Sequence, residues 1–223
     1  MAKNSNNSLI KLLQLSDSAL PLGAYSHSWG METLVQTDQL KNATEVREAL
    51  ESLLIHSIGP REAAAALLAH KYSLAEDTTS FAQLNTQLSA SNWTRELEHA
   101  STSMGARLRV LAGNLKWLDG FVDEPVHHCA LFGWLCGTFG VDARSAVSAY
   151  LCNACTALIS ACVKLVPLGH TDGQKVLAGL GKTVDQLTKS LCSQDPIEIT
   201  SFAPLQEWAS FEHENLYSRL FQS

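Results

Sequence analysis

An all-α fold of about nine or ten helices in one domain is what this sequence predicts, and three observations carry the prediction. Apolar residues recur at steps of three and four along most of the chain, which places them on one face of a helix. Asn, Asp and Pro stand where those runs begin, as helix starts require. No segment alternates apolar and polar residues for long; Ile197-Glu-Ile-Thr-Ser-Phe202 comes nearest and is too short to read as a strand.

The elements follow in order. Asn42-Ala-Thr-Glu45 reads as a helix start, with Val46, Leu50, Leu53, Leu54 and Ile58 as its buried face. Pro60 is expected to open a second helix through Ala63 to Ala66, because proline is tolerated in a first turn. The polar stretch Thr78 to Asn92 reads as a long connection. Trp93, Leu97, Ala100, Met104, Leu108, Leu111, Leu115 and Leu118 then form one stripe of a long helix. Gly105 inside it predicts close approach by another element. Asp123-Glu-Pro125 opens a further helix, and Asp142 caps the next. Gln174 to Leu191 and Pro204 to Leu220 complete the set.

Ala146 to Val163 carries no charge and is long enough to test against a membrane. It holds Ser148, Asn153, Thr156 and Ser160, and is otherwise rich in Ala and Cys, so it reads as the central helix of a protein without a membrane span. With no repeat or linker, residues 1–223 are taken as a single domain with flexible tails at 1–8 and 217–223.

Composition excludes some functions. The 223 residues carry a net charge of −6, and no Lys/Arg run makes the basic stripe that nucleic-acid binding needs. The segment Leu9 to Leu15 is broken by Lys11 and Gln14 and lacks an export core, so a cytoplasmic protein is expected. The six cysteines then read as reduced thiols, and the sequons at Asn6, Asn42 and Asn92 carry no sugar.

Several patterns imitate chemistry. Gly179-Leu-Gly-Lys-Thr183 resembles a phosphate loop, but Val176 replaces the required first glycine and the segment is helical. Cys152-Asn-Ala-Cys155 has zinc half-site spacing, and His127-His-Cys129 offers further ligands. Yet the cysteine pair lies in an apolar helix, and Cys129 and Cys136 share a helix face, so all four read as buried small hydrophobes and no metal site is assigned. No cysteine sits beside an activating charge, and Ser26-His27-Ser28 cannot converge as neighbours in a turn, so no catalytic residue is assigned. His56, His70 and His99 read as surface or core-edge residues.

Three stretches stand out: Leu20-Pro-Leu-Gly-Ala-Tyr-Ser-His-Ser-Trp-Gly-Met-Glu32, Pro167-Leu-Gly-His-Thr-Asp-Gly-Gln174, and His213-Glu-Asn-Leu-Tyr-Ser-Arg-Leu-Phe-Gln-Ser223. Their glycines, aromatics and single charges point to recognition by surfaces. Together with Leu12 to Ala19 and Met104-Gly105, they resemble the urease accessory protein UreF family along essentially the whole chain. His170 and Gln222 depart from that pattern, where Gln and Arg are usual.

The resemblance implies an all-α dimer without turnover of its own. It would bind a UreD/UreH-type accessory protein and a UreG-type GTPase on the urease apoprotein, with nickel and GTP handled by the complex and no cofactor assigned to this chain. By position, Tyr25 and Arg219 would meet the GTPase, and the tail with Tyr217, Leu220 and Phe221 would order with the UreD-type partner. Gly169, Asp172, Gly173 and Gln174 join them as partner-binding residues. Tyr and Arg are favoured interface anchors, although Trp29 and Phe221 read equally as plugs under loops. The competing reading is a small all-α enzyme or metal-binding protein that uses buried Cys and His.

Overall fold

The computed structural model describes residues 2–91, 94–118, 120 and 125–222; the side chains of residues 2–5 and 25 lie outside that description. Helices α1 (Ala2–Leu15), α2 (Met31–Gln36), α3 (Ala43–Leu53), α4 (Ala64–Leu74) and α5 (Thr78–Ala90) make up the first part. They are followed by α6 (Arg95–Asn114), α7 (His128–Thr138), α8 (Ala143–Leu165), α9 (His170–Ser193) and α10 (Pro204–Glu212). Short 3-10 turns sit at Ala24–Ser26 and His213–Asn215, and the described residues contain no strand.

Side-chain caps start these helices as the sequence requires. The Asn42 carboxamide oxygen accepts from Thr44 N–H at 3.0 Å and Glu45 N–H at 3.1 Å, and Glu45 reaches back to Lys41 N–H at 2.7 Å. Asp142 accepts from Ser145 N–H at 3.0 Å at the head of α8. Asp77 does the same for Ser80 at 2.9 Å, so Thr78 to Ala90 is a helix and not the long connection expected from its polarity. Its few apolar residues, Phe81, Leu84 and Leu88, are spaced to bury one face, and the polar ones fill the solvent side.

The centre of the molecule is the pair α4 and α7. Every residue from His128 to Gly137 is buried. A Cβ added at Gly133 would fall 2.6 Å from the Ala66 carbonyl carbon and 2.7 Å from its Cα, so the two helices touch backbone to backbone. Helix α8, expected at the centre, instead buries one face through Tyr150, Leu151, Cys155, Leu158 and Cys162; half of its apolar window is covered. It alone among the described helices is long and apolar enough to cross a membrane by length and composition. Gly105 confirms the close approach expected of it: its Cβ would meet the backbone of Val126 and His127.

Pro60 does not open a helix. It lies inside a wide π-helical segment, Leu54–Ala63, that joins α3 to α4 without a break. The carbonyls of His56 and Pro60 accept from Phe202 N–H at 2.8 Å and Thr200 N–H at 3.0 Å, which fixes the irregular stretch before α10. Residues 197–202 therefore hydrogen-bond to a helix and not to a strand. The last expected helix also ends early. α10 stops at Glu212 and the chain leaves its 3-10 turn extended, because the N–H groups of Leu220, Phe221 and Gln222 bond to distant partners. The chain begins with α1, and Ser8 Oγ donates to Phe139 O at 2.6 Å. Trp93, Asp123 and Glu124 lie outside the described residues, and the helix after them starts at His128.

Candidate functional site

The N-terminal and C-terminal motifs meet. After α1 the chain turns at Gly23 and Gly30, whose φ angles of 77° and 86° belong to the left-handed region that favours glycine. Arg107 of α6 donates to Leu22 O at 2.9 Å and crowds the space a Gly23 side chain would fill. Gly30 admits α10, with Ala209 Cβ 3.2 Å from a hypothetical Cβ. These contacts aim α2 so that Glu32, 2% exposed, faces the end of the chain.

Glu32 is the anchor of that end. Its Oε1 accepts Leu220 N–H at 2.6 Å, and its Oε2 accepts Phe221 N–H at 3.2 Å and His213 Nε2–H at 2.9 Å. Bonds of this kind to a charged acceptor are the strong ones. Gln222 N–H donates to Ser26 O at 2.7 Å, and Gln36 Nε2 donates to Ser218 O at 3.0 Å. Phe221 is buried, with the Lys164 ammonium 5.5 Å from its ring centre. Between these anchors, Tyr217 is fully exposed, Leu220 is 64% exposed and Arg219 faces solvent.

Ser218, Leu220, Phe221 and Gln222 of the tail are thus hydrogen-bonded to the N-terminal motif and α2. Phe221 is buried within the chain. Tyr25 belongs to the 3-10 turn beside Ser26, next to the tail, although its side chain lies outside the described residues. The remaining predicted residues form the first turn of α9. Gly169 is its N-cap and Gln174 is exposed. Asp172 pairs with Lys175 at 2.9 Å, and Gly173 packs on Ile159 and Val163. Among the described residues no hydrogen bond or ion pair links this turn to the tail. Sequence reading missed Glu32 and His213 as partners: both lie in the quoted motifs, but their pairing spans most of the chain.

A second polar cluster lies at the core. Tyr150 donates to Glu62 Oε2 at 2.6 Å, and Arg61 Nη2 donates to Ser57 Oγ at 3.3 Å. Burial raises the Glu62 carboxyl despite the neighbouring Arg61, and it lowers the His127 and His128 imidazoles to about 4. Glu62, His128 and Tyr150 line a cavity of about 110 Å³ together with Leu20, Trp29, Met104 and Gln206. Burial pushes all six thiols up, Cys155 and Cys162 to about 12, so a thiolate nucleophile at neutral pH is disfavoured. Among the described residues no three of His, Cys, Asp and Glu converge in a group able to hold a metal ion.

Fold and surface together describe an all-helical protein whose N-terminal and C-terminal motifs meet at the surface. The comparisons agree. The UreF family model matches residues 40–181. The chain is 33% identical to the urease accessory protein UreF of Nostoc sp. over 223 residues, covering 98% of this chain and 97% of that protein. It is 32% identical to UreF of Cupriavidus metallidurans and 33% identical to UreF of Microcystis aeruginosa, each over 96% of this chain and 97% of the relative. The chain belongs to the UreF family.

Proposed function

We propose that this chain is a non-catalytic scaffold of urease maturation. It joins a UreD/UreH-type accessory protein and a UreG-type GTPase on the urease apoprotein, so that GTP-dependent nickel insertion proceeds there. It acts in the cytoplasm as a homodimer, and nickel and GTP are handled by the complex. The GTPase docks on the face made by the Tyr25 turn and Arg219. The UreD-type partner takes Tyr217, Leu220 and the adjoining tail, with Gly169, Asp172, Gly173 and Gln174 contributing a neighbouring edge.

The observation that carries this reading is the tethered tail. A segment fastened at Phe221 and Gln222 holds out Tyr217, Arg219 and Leu220 to solvent, and a large aromatic, a guanidinium and a branched aliphatic in one patch make an interface anchor set. Phe202, Leu205, Trp208 and Phe211 extend exposed apolar surface along and before α10, and such patches mark interaction sites.

Co-purification with candidate urease accessory proteins, with and without GTP, tests the proposal. Arg219→Ala is expected to weaken GTPase recruitment with little change in stability, since an exposed side chain away from packing usually contributes within about 0.5 kcal/mol. Removal of residues 217–223 is expected to abolish capture of the UreD-type partner. Undiminished capture of both partners by these variants would refute it.

A further inference from the structure

We infer that Glu32 is a positioning residue: its buried carboxylate is the receptor that holds the C-terminal strap, and through it Arg219, in the docking conformation. The inference rests on the docking reading above and adds the group that sets its geometry.

The chemistry of the anchor is one-sided. A carboxylate is acceptor only, and three donors converge on Glu32, two of them main-chain N–H groups of consecutive strap residues. Those N–H groups flank Arg219 on its C-terminal side, so the peptide bond between Arg219 and Leu220 is held at its nitrogen while the guanidinium stays in solvent. The other holds among the described residues lie to either side of Arg219: Gln36 on Ser218, Ser26 on Gln222, and Lys164 over Phe221. If the strap leaves, Glu32 keeps, among the described residues, His213 alone, and a buried carboxylate stripped of two donors is unfavourable. Glu32 therefore biases the strap toward the closed position, and a partner that lifts it must supply replacement donors.

Arg219 makes the strap open to direct assay, because trypsin cuts after arginine only when the flanking backbone is free. Cleavage there releases residues 220–223, which mass spectrometry counts. In Glu32→Gln the charge is lost and one amide N–H faces the incoming donors. The rate of this cut is expected to rise about 10- to 100-fold, the range set by loss of charge-assisted hydrogen bonds. Circular dichroism checks that the helices remain. Amide exchange in the unmodified protein needs no variant: Leu220, Phe221 and Gln222 are expected to exchange at least about tenfold more slowly than Arg219.

Recruitment of the GTPase by Glu32→Gln is expected to fall as far as in Arg219→Ala, with the double variant no worse than either single one, since both act through one residue. Unprotected amides at 220–222, or a cut at Arg219 no faster in Glu32→Gln, overturn the strap. A faster cut with recruitment intact, where Arg219→Ala does lose recruitment, overturns the positioning role alone. Intact recruitment in Arg219→Ala as well overturns the docking face and the positioning role with it, while the protease and exchange results still report on the strap.

Discussion

Gly133→Ala is expected to be one of the most damaging single-methyl additions available to this protein. The new Cβ would lie 2.6 Å and 2.7 Å from backbone atoms of Ala66, against about 3.5 Å for a comfortable carbon–carbon contact. Neither side can yield by a rotamer change, because the obstacle is main chain in α4 and both helices are buried at this contact. Overpacking of a filled core typically costs about 1–3 kcal/mol, and a backbone obstacle places this case at about 3. The helix propensity of alanine returns about 1 kcal/mol, leaving a net loss of about 2. For a chain of this length that lowers the thermal midpoint by about 4–8 °C. Gly181→Ala makes the same chemical change in the interior of α9, where nothing lies within 4 Å. There only the propensity gain operates, and the midpoint is expected to rise by about 2–4 °C. Calorimetry or a circular dichroism melt of the two variants beside the parent decides the matter. A Gly133→Ala protein as stable as the parent would refute the backbone-to-backbone account of α4 and α7.

Three further outcomes are expected. Stability should fall with acidity between pH 6.5 and about 4. In that window the unfolded chain protonates His128 while burial keeps the folded imidazole neutral, which is worth up to about 3 kcal/mol by pH 4. Replacing His128 with Gln should flatten that part of a denaturation-versus-pH curve, and an unchanged slope would count against it. Tyr150→Phe should lower stability by about 1–3 kcal/mol in urea titration, because Glu62 loses its donor at 2.6 Å inside the core; a loss under about 0.5 would contradict the bond. Thiol titration of the native protein should modify Cys152 first and the half-exposed Cys192 more slowly, with the four buried thiols reacting only on unfolding. Fast reaction of Cys129 or Cys136 would overturn the packing described for α7.

Where local rules decide an element, the sequence was readable. Asn42 and Asp142 cap helices as their side chains predict, and the stripe from Leu97 through Leu108 lies buried along α6. Gly105 announced a close backbone approach that Val126 supplies. Reading failed where a partner distant in sequence decides. The polarity of Thr78 to Ala90 concealed a helix, because three apolar side chains against α4 and α7 suffice to hold it. Pro60 signalled a helix start and is instead accommodated by a wider turn. The end of the chain carried an amphipathic pattern up to Leu220, yet Glu32 draws its N–H groups away from a helical ladder. Of the surface where the two ends of the chain meet, the motifs were legible, and the carboxylate that joins them was not.

Pro60 also has a consequence for how the chain is routed. In an unbroken α-helix the His56 carbonyl would bond the N–H of residue 60, and proline has none to give. The chain widens around it, and Phe202 N–H reaches the His56 carbonyl, with Thr200 on the Pro60 carbonyl beside it. The widened turn around Pro60, in the first third of the polypeptide, thus holds the segment leading into α10. The place where Arg219 finally emerges is decided in part more than a hundred residues earlier.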